Sequence, residues 1–325
     1  MQYVIRHITR FSYESPIRES RMEVRMCPRT ESEQQCYSFD LDITPHAQVH
    51  SYQDYMGNTI HHFDIPDVHD ELTLTSRALV EVRPKDDLPE AVGMEAWEAI
   101  EAIMAGDAHL EMVLPSAYAR PTQLLHAFIA EHDIARTSDP LTLLRRLNGL
   151  IYEQFDYSPQ STHAHSPIDD ALKMRSGVCQ DFAHIFISLA RHLFIPCRYV
   201  SGYLFHRPNT DQEHNRSAED GSHAWVEAYI PGLDWVGFDP TNNTLADDRH
   251  IRVAIGRDYV DVPPTRGVYK GSARSTLHVG VSVARARFPV REAAMPQLAL
   301  VVQPGDLNGV EMTPAERLQQ QQQQQ

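Results

Sequence analysis

Alternating apolar and polar residues occupy much of the first part of the chain, at residues 3–13, 22–26, 37–43 and 72–82. A period of two predicts short antiparallel strands with one buried face. Residues 54–59 have the composition of a turn between two such strands, and Pro45, Pro66 and Pro84 punctuate the others. We therefore expect residues 1–85 to form a β-sandwich or a small barrel.

The period changes to that of a helix between residues 89 and 153. Apolar residues form two helical stripes there, at Trp97, Ile100, Ile103 and Met104 and at Leu124, Leu125, Phe128 and Ile129. Pro115 and Pro121 divide this connector, and Pro140 is expected to open a further helix over residues 141–155.

The remaining elements complete a division into three parts. Residues 276–283 alternate again, and we expect this strand to join the sheet of the second domain. From residue 304 onward the chain is polar and ends in a glutamine run, which is typical of a disordered tail. The expected fold class is α+β, with a β-rich domain at 1–85, a core domain at 86–290 and an extended tail at 291–325.

One cysteine lies where a helix is predicted to begin. Gly177 precedes Cys179 by two residues, and apolar residues then recur at Phe182, Ile185, Phe186, Leu189 and Leu193, as on a helix with one buried stripe. We expect Gly177 to permit a sharp backbone turn. The positive end of a helix favours a thiolate, so Cys179 is a candidate nucleophile. The alternative is an unreactive cysteine in the core, because free cysteines are among the residues most often buried.

A predicted hairpin brings a histidine and an aspartate into reach of each other. Residues 223–230 alternate, residues 231–234 read as a turn, and residues 235–239 read as the returning strand. An odd number of loop residues would make His223 and Asp239 diagonal neighbours on one face, about 7 to 8 Å apart at the backbone. A slip of one residue would send Asp239 to the opposite face and leave His223 an ordinary strand histidine.

These three residue types together are those that acyl transfer to a thiol requires. Cys179 would attack an amide carbonyl, and His223 would pair with the thiolate and then protonate the leaving amine. Asp239 would fix the tautomer and orientation of the imidazole. The backbone N–H of Cys179 is a natural donor to the oxyanion, and a second donor is expected from Gln180 or Tyr157.

Three segments, GVCQDFAH, IPCRYVSGY and SHAWVEAYIPGLDWVGFDPTNN, resemble in this order the core of the bacterial transglutaminase-like superfamily. The first eighty or so residues resemble the domain that often precedes this core. The resemblance implies a papain-like α+β core, chemistry on amide bonds, and a triad that falls on Cys179, His223 and Asp239. Gln180 stands where animal transglutaminases usually carry tryptophan, and acidic calcium loops are missing. Both departures argue against a calcium-dependent cross-linking enzyme.

Charge and metal-ligand spacing narrow the choice of partners and cofactors. The formal net charge of −15 argues against a nucleic acid or an anionic membrane as partner. His163, His165, His206 and His214 are predicted in loops near the core, but their spacing is not that of a zinc site. We expect no cofactor and no metal, because neither a ligand cluster with zinc spacing nor a calcium loop occurs near the three candidate residues. The absence of Cys-x-x-Cys pairs also argues against a peptide N-glycanase.

The N-terminal sequence enters strand alternation at once and shows no secretory leader, and no segment has the apolar length of a membrane span. These features predict a cytoplasmic protein. The four cysteines, Cys27, Cys36, Cys179 and Cys197, show no disulfide framework, and Cys197 is expected to serve packing.

The sequence thus predicts a metal-independent cysteine enzyme that acts on amide bonds of a peptide or protein through a thioester. Hydrolysis, as by a protease or amidase, is the favoured outcome. The alternatives are transfer of the acyl group to an amine, which is cross-linking, and an inactive binding module that keeps the fold. The oligomeric state is left open.

Overall fold

The computed structural model describes residues 1–31, 33–106, 109–159, 161–206, 216 and 221–286. The predicted tail at 291–325 lies outside these residues. The elements follow one another as β1 (Gln2–Val24), β2 (Gln34–Thr44), β3 (His50–Gln53), β4 (Thr59–Ile65), β5 (His69–Val82), α1 (Ala96–Met104), α2 (Gln123–Glu131), α3 (Pro140–Gln154), β6 (Asp156–Tyr157), α4 (Ile168–Met174), β7 (Ser176–Gly177), α5 (Cys179–His192), β8 (Cys197–Leu204), β9 (His223–Ile230), β10 (Asp234–Asp239), β11 (Thr244–Leu245), β12 (His250–Gly256), β13 (Thr265–Lys270) and β14 (Ser275–Ala286).

The N-terminal region is built around β1, which buries alternate residues as its sequence pattern predicts. The strand order is β2-β5-β1-β4-β3, and β13 and β14 also pair with β1. The first half of β1 lies between β5 and β14, and its second half lies between β4 and β13. The prediction of a β-rich N-terminal region in an α+β protein is confirmed.

The expectation that residues 276–283 join the core sheet is wrong. They lie in β14, which pairs with β1 from Gln2↔Ala286 to Tyr13↔Ser275. A period of two specifies which face of a strand is buried, but it contains no information about the partner strand. The last strands of the predicted 86–290 domain therefore belong to the N-terminal sheet.

The core consists of a five-stranded antiparallel sheet, in the order β11-β10-β9-β8-β12, with α5 packed against β8 and β9. Every residue of α5 from Cys179 to Arg191 is buried. The expectation that this helix has a single buried stripe is wrong, because α2, α3 and α4 cover the faces of the helix that do not contact the sheet. The helix that carries the candidate nucleophile is the centre of the core.

The helix predicted over 141–155 is confirmed as α3. Asp139 accepts hydrogen bonds from the N–H groups of Leu141 and Thr142, both at 3.2 Å, and Pro140 occupies the first turn. Proline suits this position because its missing N–H would have no intrahelical partner. The helix ends at Gln154, directly before the short strand β6 that leads toward the candidate site.

Two amide side chains of the N-terminal region cover the outer edge of β12, which is an edge strand of the core sheet. Gln34 binds both the N–H and the C=O of Arg252, each at 2.8 Å. Asn58 binds the N–H and the C=O of Ile255 in the same way, again at 2.8 Å. These contacts satisfy the backbone groups that an edge strand would otherwise expose.

A buried ion cluster supports the same junction. Glu227 in β9 is fully buried and accepts hydrogen bonds from Arg198 at 2.6 and 2.8 Å and from Arg252 at 2.5 Å. Burial alone would raise the pKa of Glu227, but the two guanidinium groups outweigh it and lower the pKa to about 2. Arg252 also approaches Glu31 of the N-terminal region, at 3.5 Å.

Within the described ranges, no helix combines the length and the apolar character that crossing a membrane requires.

Candidate active site

Cys179 is the first residue of α5, as the sequence predicts. The helical hydrogen bonds begin with the N–H of Phe182, which donates to the C=O of Val178 at 3.2 Å. The Asp181 carboxylate accepts from the N–H of Val178 at 2.9 Å and so holds the helix start from inside the first turn. The thiol therefore lies at the positive end of a buried helix.

Gly177 has a different role from the expected turn. It lies in the short strand β7 and is not among the residues with positive φ. A Cβ at this position would lie 2.8 Å from Oδ2 and 2.9 Å from Cβ of Asp181. Glycine is required because the side chain that holds the helix start packs directly against it.

Asp181 is itself buried, and Thr162 donates a hydrogen bond to its Oδ2. Burial raises the pKa of Asp181 to about 6, against the opposing effects of the bonds from Thr162 and Val178. Asp181 is not among the residues predicted from the sequence. Its signal is an acidic side chain three residues after the residue that precedes a helix, which is half of a capping box.

The hairpin register places His223 and Asp239 on one face. Asp234 pairs with Ile230 and Phe238 pairs with Val226, so three residues form the loop. Of the two registers that the sequence leaves open, the structure has the odd loop, which puts both residues on the same face. Nε2 of His223 lies 2.8 Å from Oδ2 of Asp239, and both side chains are almost completely buried.

The carboxylate of Asp239 is surrounded by hydrogen-bond donors. Oδ1 accepts from the backbone N–H groups of Thr241 at 3.0 Å and Asn242 at 3.3 Å, and Oδ2 accepts from the Asn242 amide at 2.7 Å. Burial would raise the pKa of Asp239, but the two histidines that contact it, His223 first and then His250, hold it far below its usual range. Asp239 is a charged acceptor, and the side-chain amide of Asn242 is one of its donors.

The protonation of His223 follows from its neighbours. Burial opposes the charged form, but the charge and hydrogen bond of Asp239 and then the neighbouring Cys179 thiol raise the pKa of His223 to about 10. Nε2 is engaged by Asp239, so Nδ1 is the ring nitrogen left to exchange a proton with the thiol. This arrangement favours the imidazolium form of His223 beside the thiol.

His250 also contacts Asp239, and the sequence analysis missed it. Its Nε2 lies 3.3 Å from Oδ2 of Asp239, and its side chain is 2% exposed. With His223 it completes a set of three side chains whose ligand atoms all lie within 4.8 Å of one another. Metal-ligand spacing along the sequence does not reveal this set, because His250 comes to it from a different strand. Hydrogen bonds from two imidazole N–H groups to one carboxylate account for both short contacts.

Three of the four loop histidines are among the described residues. His163 and His165 are exposed, and Nδ1 of His165 lies 2.8 Å from the hydroxyl of Tyr118. His206 is partly buried, and burial followed by the charge of His223 lowers its pKa to about 4. His214 lies outside the described residues.

The two candidates for a second oxyanion donor occupy different surroundings. The side-chain amide of Gln180 donates to the C=O of Ala164 at 2.8 Å. Tyr157 lies in β6, where it pairs with Gly177 in the strand before the nucleophile. Because the first N–H groups of a helix have no intrahelical acceptor, the backbone N–H of Gln180 is a donor beside that of Cys179.

Comparison with known proteins places this geometry in a family. Residues 3–81 match the bacterial transglutaminase-like N-terminal region, and residues 129–240 match the transglutaminase-like superfamily. The chain belongs to the transglutaminase-like superfamily. Cys179, His223 and Asp239 all lie within the second match, whereas His250 lies after it.

Relatives and structural neighbours extend over most of the chain. An uncharacterized Mycobacterium leprae protein, ML0607, is 35% identical over 86% of this chain and 97% of its own length. The uncharacterized protein Rv2569c of Mycobacterium tuberculosis is 32% identical over 87% of this chain and 92% of its own length. A crystal structure of a cysteine protease candidate from Cytophaga hutchinsonii has the same fold, with a TM-score of 0.69, 23% identity and coverage of 89% and 92% of the two chains.

Proposed function

We propose that this protein hydrolyses amide bonds of peptides or proteins through a thioester on Cys179. The observation that carries the proposal is the buried His223–Asp239 pair, joined at 2.8 Å, with Nδ1 of the imidazole left without a hydrogen-bond partner among the described residues and the Cys179 thiol close enough to raise its pKa. An inert core cysteine has no need of a charged imidazole held by a buried carboxylate. The binding-module alternative does not account for this arrangement.

The reaction divides into two balanced steps. The Cys179 thiolate attacks the carbonyl carbon, and the C–N bond breaks as Nδ1 of His223 gives its proton to the leaving amine. Water then attacks the thioester, with neutral His223 taking its proton. The C–S bond breaks, and the acid product leaves as the thiolate and imidazolium pair re-forms. The N–H groups of Cys179 and Gln180 would stabilise the oxyanion in both steps.

Access to the thiol is restricted in this structure, since Cys179 is only 1% exposed. We expect a substrate carbonyl to reach Sγ only when neighbouring residues separate. An amine that reached the thioester in place of water would give cross-linking, so the same assay must report both products. A peptide or protein substrate, no nucleic-acid partner and a cytoplasmic location complete the proposal.

The decisive assay offers glutamine-containing peptides with and without a primary amine and follows three products by mass spectrometry. Backbone cleavage or ammonia release without amine incorporation is the expected result. Predominant amine incorporation would identify a cross-linking enzyme. Cys179→Ser should lose turnover, and Cys197→Ser, which alters another buried thiol, is the matched control. Turnover that survives in Cys179→Ser would overturn the proposal.

Thiol labelling tests the nucleophile without a substrate. Cys27 and Cys36 are partly exposed, and a hydrogen bond between them lowers the pKa of Cys27 and raises that of Cys36, so Cys27 is the thiol that competes for iodoacetamide. In a Cys27→Ser/Cys36→Ser background, only Cys179 and Cys197 remain. Burial raises the pKa of Cys197 to about 12, so Cys179 should be alkylated first near neutral pH. Faster labelling of Cys197 would remove Cys179 as the nucleophile.

A further inference from the structure

We propose that His250 is a positioning residue of this site, which holds Asp239 and sets the pH at which His223 loses its proton. The inference rests on the proposed function. Its first support is geometric: the imidazoles of His250 and His223 both direct Nε2 to Oδ2 of Asp239, at 3.3 and 2.8 Å. Their ring centroids lie 6.2 Å apart.

Both ring nitrogens of His250 face acidic residues. Oδ2 of the Asp239 carboxylate can only accept, so Nε2 carries a ring proton and donates to it at 3.3 Å. Nδ1 lies 3.1 Å from the backbone N of Asp247. Oδ1 of Asp247 also lies 3.0 Å from Nδ1, and Arg249 binds the other oxygen of Asp247 at 2.8 Å.

The surroundings hold His250 in this orientation. It is the first residue of β12 and pairs with Leu204 in β8, and Trp225 packs edge-on against its ring with centroids 5.2 Å apart. The Gln34 and Asn58 amides fix β12 from the N-terminal region. The charged and titratable groups that face this ring are Asp239, Asp247, Arg249, His206 and His223.

Because His250 and His223 donate to the same oxygen of Asp239, His250 affects the pKa of His223. The N–H of His250 withdraws negative charge from Oδ2, so His223 binds its proton less tightly than it would beside Asp239 without this second imidazole. The proton then passes more readily to a leaving amine. Without His250, the alkaline limb of the pH profile should move upward, and Asp239 should be less firmly held.

Two substitutions of His250 distinguish the contribution of Nε2 from that of Nδ1. His250→Gln places an amide near the position of Nε2, whereas His250→Asn places one near Nδ1 and cannot reach Asp239. We expect His250→Asn to lower turnover about ten- to a hundredfold through misplacement of the His223–Asp239 pair. Its alkaline limb should rise by about one pH unit. His250→Gln should restore both properties to near the wild-type values.

The rate of Cys179 alkylation by iodoacetamide, measured against pH in the Cys27→Ser/Cys36→Ser background, provides a readout that needs no substrate. Alkylation needs the thiolate but no proton donor, so its rate should show an upper inflection where His223 loses its proton, and this alkaline limb should shift in His250→Asn and not in His250→Gln. An unshifted limb in a folded His250→Asn variant would overturn the proposal, and so would equal shifts in both variants. If no peptide is turned over, the proposed function fails while this titration still tests His250.

Discussion

Replacing Asp239 with asparagine removes one charge from the site and changes little else in volume. In the wild type, Asp239 and Cys179 raise the pKa of His223 from 6.5 to about 10 against the effect of burial. At about 1.4 kcal/mol per unit, this shift corresponds to about 5 kcal/mol in favour of the imidazolium. Without the Asp239 charge, burial dominates and the imidazole becomes neutral near pH 7, so the ion pair with Cys179 is lost.

The hydrogen bonds of Asp239 give a second cost. Oδ2 faces the donors of His223, Asn242 and His250, and Oδ1 faces two backbone N–H groups. An asparagine NH2 must face donors whichever way it turns. Turned toward the backbone, it leaves two buried N–H groups unsatisfied, at about 1 to 3 kcal/mol each.

We therefore expect Asp239→Asn to lower kcat by a factor of about a hundred to ten thousand. The free energy of unfolding should fall by about 3 to 5 kcal/mol at neutral pH. The raised pKa of His223 stabilises the folded wild type fully below about pH 6.5, and this contribution is lost as the pH rises through about 10. The difference in free energy of unfolding between the wild type and Asp239→Asn should therefore become smaller as the pH approaches about 10.

The measurements are kcat against pH with a titrated active site, and urea unfolding of each variant. Asp234→Asn is the matched control, because Asp234 is exposed at the other end of β10 and has a φ of 59°, which asparagine tolerates. A kcat within about threefold of the wild type would remove Asp239 from the mechanism. It would then point to Asn242 as the residue that orients the site.

Three further predictions concern stability and metal dependence. Gly177→Ala should destabilise the protein by about 1 to 3 kcal/mol in urea unfolding, because the new Cβ meets Asp181; unchanged stability would contradict this packing role. Glu227→Gln should lose about 3 kcal/mol at pH 7, and the wild-type advantage, complete above pH 4.5, should decline as the pH falls through about 2; a pH-independent difference would refute the ion-pair account. EDTA should leave turnover unchanged, whereas loss of activity that one divalent ion restores would reassign the cluster of two histidines and one aspartate beside the thiol as a metal site.

Local patterns predicted those parts of the site that depend on neighbours in sequence. The start of α5 at Cys179 follows from apolar spacing, and the hairpin has a short loop whose odd length decides which face Asp239 occupies. Both features depend on residues close in sequence to Cys179 or to Asp239. The alternation of residues 276–283 correctly predicts a strand for the same reason.

The features that were missed depend on long-range contacts. β14 pairs with β1 across most of the chain, and no property of either strand alone specifies that partner. His250 reaches Asp239 although β9 and β8 separate their two strands in the core sheet. The buried ring of His250 lies beside Trp225, and no local pattern around residue 250 indicates this approach. The complete burial of α5 could not be predicted from its own sequence either, because it depends on contacts with three other helices.

The pairing of β1 with β13 and β14 has a consequence for biosynthesis. A ribosome makes β1 first, but two of its partner strands follow only after the whole core, so the first sheet cannot be completed during early translation. One edge of β1 stays open until then, and an open edge can pair with another chain. Expression of residues 1–85 alone would leave the same edge uncovered. The late strands thus protect the nascent protein from association with its neighbours once synthesis passes residue 286.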